Sequence, residues 1–161
     1  MPANSTNSLD VAAAIVERLH PVQIVKLQKL VFYAAGEYAA LTGQPLFPED
    51  IEAWDLGPVV CDLWKTQKSY ESQNDIDHSK LGDSSKLNDL AQGCVGSVIA
   101  KYGAMSGAEL IDLTHKEPAW IESYVPGQAR TKIPFDLLVT TFRQKRPETR
   151  PSDDLLNRIF A

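Results

Sequence analysis

Cysteine is scarce in this 161-residue chain: Cys61 and Cys94 are the only two, and they form no C-x-x-C pair. That excludes a disulfide framework and removes the paired-thiolate spacing of a structural zinc site. Both lie among apolar or helix-forming neighbours, the setting of reduced, buried thiols. His20, His78 and His115 stand far apart and match no H-E-x-x-H or Cys/His spacing, so no metal ligand set is expected. Long apolar runs are also missing. No stretch approaches the roughly 20 residues that span a bilayer. The opening MPANSTNSLD has neither the basic nor the apolar region of a secretion signal, which makes the cytoplasm the expected location. Positive charge is in the minority, with 16 Lys and Arg against 21 Asp and Glu, a formal net charge of -5 and a pI of about 5.2. A duplex-DNA binder needs a concentrated basic surface, so nucleic acid is not an expected partner. The one basic run, Arg143, Lys145, Arg146 and Arg150, includes Pro147 and cannot be one continuous basic helix. It reads as a solvated helix end in favourable contact with the helix dipole, or as a docking patch for an acidic partner. No glycine-rich loop opens a helix after a strand, and there is no G-x-S-x-G elbow. Neither a nucleotide cofactor nor an activated nucleophile is expected.

What is present is the material of one mainly α domain. A hydrophobic fraction of 43% with 23% charged residues is ordinary for a globular chain of this length, which can bury a core unaided. Polar residues around Ser8 to Asp10 precede an alanine-rich segment with Val11, Ile15 and Leu19 on one face, ended by His20-Pro21. The strongest periodicity follows. Ile24, Leu27, Leu30, Val31, Ala34, Tyr38 and Leu41 recur at three- and four-residue spacing, with Pro21 suited to the first turn and Gly43 to the stop. Lys26, Lys29, Tyr33 and Glu37 fall on the other side. Residues 44–58 break the pattern with Pro45, Pro48, Gly57 and Pro58, and Ile51 to Trp54 reads as a short strand or a buried irregular loop. Pro58 suits the first turn of a third helix from Val59 to about Tyr70.

A polar loop is expected from Glu71 to Ser85, then a fourth helix from about Ser84 to Tyr102, with Gly93 and Gly96 permitting close approach of a neighbour. Ser106 with Glu109 forms a capping box ahead of a fifth helix. Pro118 opens a short turn carrying Trp120 and Ile121, Pro134 starts a helix with Leu137, Leu138 and Phe142, and a tail helix begins at Ser152. The expected architecture is a single-domain helical bundle of about six to seven helices over residues 1–161, with a core of about 10–145, a tail of 146–161 and an irregular or short-strand insertion around 44–58.

Three blocks carry a resemblance. They run from Lys26 to Ala34 with Leu41 to Phe47 after it, from Glu52 to Val60, and from Leu110 to Trp120. In that order and spacing they resemble the Panacea-domain family, also called SocA-like or GepA-like phage-associated proteins, over roughly residues 10 to 145. The resemblance implies a predominantly helical fold, a bacterial or prophage setting and an antitoxin that binds a cognate toxin protein encoded nearby. It also implies, for at least one member, an adaptor that hands its toxin to a Clp-type protease. No catalytic motif comes with it. A prophage adaptor or scaffold without a toxin, and a hydrolase using His115 with a nearby carboxylate, are the competing readings; a homo-oligomer is compatible with all three. The loop 71–85 and the tail after Arg146 carry no family signature, which makes them candidates for partner-specific contacts.

The candidate groove residues are Lys26, Lys29, Tyr33, Trp54, Gly57, Pro58, Thr114, His115, Glu117 and Trp120. Lys26, Lys29 and Tyr33 are expected to meet the Trp54–Gly57 loop and the Thr114–Glu117 segment in space. The groove either contacts the partner or is a polar network that serves the fold. His115 and Glu117 diverge around a helix, so His115 is read as a structural imidazole near a helix end, bonded to backbone or to the other polar segment. Each tryptophan is read as core.

Overall fold

The structure is a computed structural model that describes residues 6–67, 75–128 and 130–145. Seven α-helices and a three-stranded sheet are present among them: α1 (Ser8–Arg18), α2 (Ile24–Thr42), β1 (Glu52–Trp54), β2 (Gly57–Val59), α3 (Cys61–Gln67), α4 (Asp89–Tyr102), α5 (Gly107–Thr114), α6 (Pro118–Ile121), β3 (Thr131–Lys132) and α7 (Phe135–Gln144). Two 3-10 turns, His78–Lys80 and Ser84–Lys86, precede α4. The fold is mainly α with a short-strand insertion, as the sequence pattern predicts. The tail helix expected from Ser152 lies outside the described residues.

Helix α2 is the axis of the molecule. It packs on α1, α3, α4, α5 and α7, and on β2. Leu27, Leu30, Val31 and Ala34 of its apolar stripe are fully buried, and burial of each larger one contributes roughly 1.5–3 kcal/mol. The stripe does not mark the edge of burial, however. Lys29 and Tyr33, expected on a polar side, are 1% and 0% exposed. A helix enclosed on every side must bury its polar residues as well, and they are tolerated only where partners reach them. Gly43 ends α2 in the left-handed conformation and donates its N–H to Ala39 O at 2.8 Å. At Gly36 the Phe142 ring of α7 comes so close that an added Cβ would lie 2.2 Å from it. This, and not Gly93, is the glycine that admits a neighbour: Gly93 faces open space, and Gly96 meets only the Arg18 side chain.

Several boundaries differ from expectation. Pro21 lies in the bend before α2 and takes no part in its first turn, since the helix starts at Ile24 with Gln23 as its N-cap. Pro58 is a residue of β2, paired with Ala53, and the third helix begins three residues later at Cys61. The sheet order is β2-β1-β3, so Pro58 sits on an edge strand, where a missing N–H is tolerated. The fourth helix starts at Asp89, capped by the Asn88 side chain on Ala91 N, because Asp83 first draws Ser84–Lys86 into a 3-10 turn.

The described part of the expected polar loop is fastened to the bundle. Asp75 Oδ1 accepts from Val22 N and Ile76 N, both at 2.9 Å, and Ile76 is buried. Gln67 and Asp77 exchange two hydrogen bonds, and the buried Asp10 carboxylate receives Asp83 N at 2.7 Å. The basic run also finds partners. Arg143 lies in the last turn of α7, but its guanidinium reaches Ala40 O of α2, while Lys145 pairs with Glu117. Arg146 and Arg150 lie outside the described residues. No helix among the described residues is long and apolar enough to cross a membrane.

Candidate functional site

Antiparallel pairing of β1 with β2 brings Trp54 opposite Gly57 and leaves Asp55 and Leu56 as a two-residue turn. Gly57 has φ +109°, a conformation that side chains rarely adopt. It also has no room for one. A Cβ there would lie 2.7 Å from Thr114 Oγ1 of α5 and 2.9 Å from Lys29 Cε of α2. Three separated segments therefore converge on one glycine, and Lys29 completes the joint by donating from Nζ to Pro58 O at 3.0 Å. Thr114 Oγ1 is occupied by carbonyls of its own helix, those of Leu110 and Ile111.

The hairpin turn is then held from the α5–α6 side. His115 caps the end of α5, and its Nε2 lies 2.9 Å from Asp55 O. Its ring packs against Trp120, which in turn stacks on Tyr124 with ring centres 4.5 Å apart. Trp120 Nε1 donates to Trp54 O at 2.8 Å, and the Tyr124 hydroxyl donates to the Asp55 carboxylate. That hydrogen bond, foremost, raises the Tyr124 phenol above its ordinary range. The neighbours of His115 are thus a backbone carbonyl and an indole. Trp54 and Trp64 meet edge to face at 5.9 Å. All three tryptophans are half-buried at the margin of the core, not within it.

A second network lies further along α2. Tyr33 OH donates to Glu117 Oε1 at 3.0 Å, and the same oxygen takes Lys145 Nζ. Tyr33 stacks on Tyr102 with ring centres 4.2 Å apart. Burial first, then the Glu117 charge, drives the Tyr33 phenol far above its ordinary value, and burial pushes Tyr102 up to about 12. Lys26 joins neither network: its Nζ donates to Gly103 O at 2.7 Å, at the end of α4. Of the three α2 residues expected to meet the hairpin and the 114–117 segment, Lys29 and Tyr33 do so and Lys26 does not.

Between α2, the hairpin and α3 opens a cleft of about 520 Å³, lined by Ile24, Val25, Trp54, Leu56, Val59 and Trp64, with Gln28, Lys29, Asp55 and Gly127. Lys29 has no carboxylate within 4 Å among the described residues. Burial alone pulls its ammonium down to about 7. Gln28, not singled out from the sequence, exchanges two hydrogen bonds with the Val60 backbone at 2.9 and 3.0 Å and clamps the end of β2 to α2. Its signal was present: it is a polar residue next to Leu27 and one turn from Ile24 and Val31, on the apolar stripe. Asp55 and Tyr124 had no such signal, since their contact joins residues 69 positions apart. Among the described residues, no three His, Cys, Asp or Glu side chains gather as a metal site requires.

Three large apolar side chains of these segments are exposed. Leu56 in the turn is 54% exposed, Ile121 at the end of α6 is 52% and Val125 just beyond is 40%. A family model described as Antitoxin SocA-like, Panacea domain matches residues 27–121, more than half of the chain and a span that contains α2 from Leu27 onward, the hairpin and α6. No curated protein and no solved structure matches.

Proposed function

The chain belongs to the SocA-like Panacea-domain antitoxin family, and from that membership we propose that it neutralises a cognate toxin by binding it directly at the hairpin–α6 face. The observation that carries the proposal is the rigid display of Leu56, Ile121 and Val125. Large apolar side chains left exposed on elements braced against each other are what a protein partner covers. The bracing is the Trp54–Asp55–His115–Trp120–Tyr124 set of contacts. It fixes the turn and α6 against each other, so little ordering cost falls on association. In this reading the groove residues Gly57, Pro58, Thr114 and His115 position the face, and the partner touches its apolar tips.

Co-expression with the product of the adjacent reading frame tests this. Wild-type chain should restore growth of cells making a lethal neighbour, and Leu56→Asp combined with Ile121→Asp should abolish rescue while leaving the circular dichroism spectrum unchanged. Full rescue by the double variant would refute the face. A Clp-type protease is proposed as a second partner, to which the bound toxin is passed. Toxin half-life in the presence of the antitoxin separates the two modes: it shortens only in Clp-competent cells if delivery operates, and is the same in both strains if masking suffices.

A further inference from the structure

The cleft beside that face contains a buried lysine with no carboxylate within 4 Å among the described residues. Lys29 is 1% exposed, its one hydrogen-bond acceptor among the described residues is the neutral Pro58 carbonyl, and it lines an apolar cleft walled by Trp54 and Trp64. A buried ammonium is costly until a counter-charge reaches it. The volume of about 520 Å³ falls among pockets that enclose small ligands or single anchoring groups.

We propose that this cleft receives the carboxyl-terminal residue of the partner protein, its apolar side chain entering between Trp54, Trp64 and Leu56 and its free α-carboxylate pairing with Lys29. The assignment rests on the protein-binding reading above and names the part of the partner that is recognised. Charge complementarity selects this occupant. In a terminal apolar residue the carboxylate and the hydrophobic group hang from one Cα, which matches a cation set in an apolar wall. An internal Asp or Glu would bring the charge without the apolar group, and an internal Leu or Phe would bring the reverse. Asp55, the other ionisable residue lining the cleft, is engaged by the Tyr124 hydroxyl and by its sign directs an incoming carboxylate toward the Lys29 end. The lowered proton affinity of Lys29 agrees with a cation that lacks its counter-ion.

Fluorescence anisotropy with the full chain tests the idea on a labelled peptide, Ser-Gly-Ser-Ala-Phe-Leu, carrying either a free or an amidated carboxyl terminus. The free acid should bind at least about tenfold more tightly than the amide, and a free acid ending in Gly-Ser should bind as weakly as the amide. Lys29→Met should remove the preference for acid over amide while retaining weak apolar binding. Equal binding of acid and amide by the wild-type chain, or no binding of either at millimolar peptide, would overturn the proposal whether or not the variant folds. The two readings fail separately. A toxin still neutralised after its last residue is amidated or removed sinks the cleft assignment alone, whereas absence of rescue by the wild-type chain sinks the antitoxin reading and leaves the peptide titration to stand or fall on its own.

Discussion

Lys29 is the residue at which the fold accepts a penalty. Its ammonium is pulled down to about 7 by burial, against an ordinary value of 10.5, so from about 7 upward the unfolded chain holds a proton that the folded chain has released. Stability therefore rises with pH over that window, because stability grows wherever the unfolded state binds more protons. Below about 7 both states are protonated and the full cost of burying the charge is present. Lys26, lowered first by burial, adds to the same slope. Above about 10 the phenols of the buried Tyr33 and the half-buried Tyr102 act in the opposite sense: raised in the fold, they stay protonated while the unfolded chain ionises, and stability falls. Urea titrations at pH 6, 7.5 and 9 should show the wild-type midpoint climbing, and Lys29→Met should flatten that climb while raising stability at pH 6. A variant with an undiminished slope would mean that another group titrates there. Gly57 pairs with this residue in a different way, for its missing side chain is what lets Lys29 and Thr114 close on the hairpin.

At the scale of elements, the contact between α2 and α7 depends on an absence of atoms. The Phe142 ring lies where a Gly36 methyl would be. Gly36→Ala should destabilise the protein by about 1–3 kcal/mol by overpacking. Phe142→Leu alone should also destabilise by opening a gap, but the double variant should cost less than the sum, which denaturant unfolding of all four proteins would reveal as a coupling energy. Strictly additive costs would count against the contact. A second joint ties the 82–83 segment to α1. Asp10 caps its own helix through Asn7 N and also holds Asp83 N, and it is 2% exposed. Asp10→Ala should cost about 1.5–3 kcal/mol, the range for bonds to a charged acceptor, and should accelerate amide exchange at Asp83 ahead of the α2 core. Unchanged exchange there would show that Leu9 O, which takes Gly82 N, holds the segment by itself.

These two joints also show what the sequence makes legible. The extent of α2 was readable because Ile24 through Leu41 repeat at helical spacing and Gly43 stops the run. The capping box at Ser106 and Glu109 was readable because its two residues are three apart. Strand β3 is two residues long and too short for any alternation, and Pro58 reads equally well as a helix start until its partner Ala53 is known. The burial of Lys29 and Tyr33 follows from Pro58 and Glu117, 29 and 84 positions away. That Lys29, Gly57 and Thr114 converge was legible from the blocks; which residues face solvent was not, since the exposure of Leu56 and Ile121 is set by how the hairpin and α6 are held.

For the molecule as a whole, the proposed binding face is an extension of the core. The hairpin joins α2 through Lys29 and Gln28, and α6 joins it through Tyr33 and Glu117, so partner contacts made at Leu56 and Ile121 bear on elements that cannot loosen without opening the centre. Binding should then add to global stability without adding secondary structure. A partner present at 100 times its Kd contributes about 2.7 kcal/mol. For a chain of this length that raises Tm by roughly 5–11 °C, at about 2–4 °C per kcal/mol. The helical circular dichroism of the complex should equal the sum of its parts. The Leu56→Asp and Ile121→Asp variant should melt close to the free wild-type chain and show no rise when toxin is added, because it removes apolar tips and leaves the bracing intact. If helicity instead grows on mixing, the face is ordered by the partner, and the bracing by Trp54, His115 and Trp120 is not what prepares it for binding. A rise in Tm with unchanged helicity is the signature of a surface built in advance.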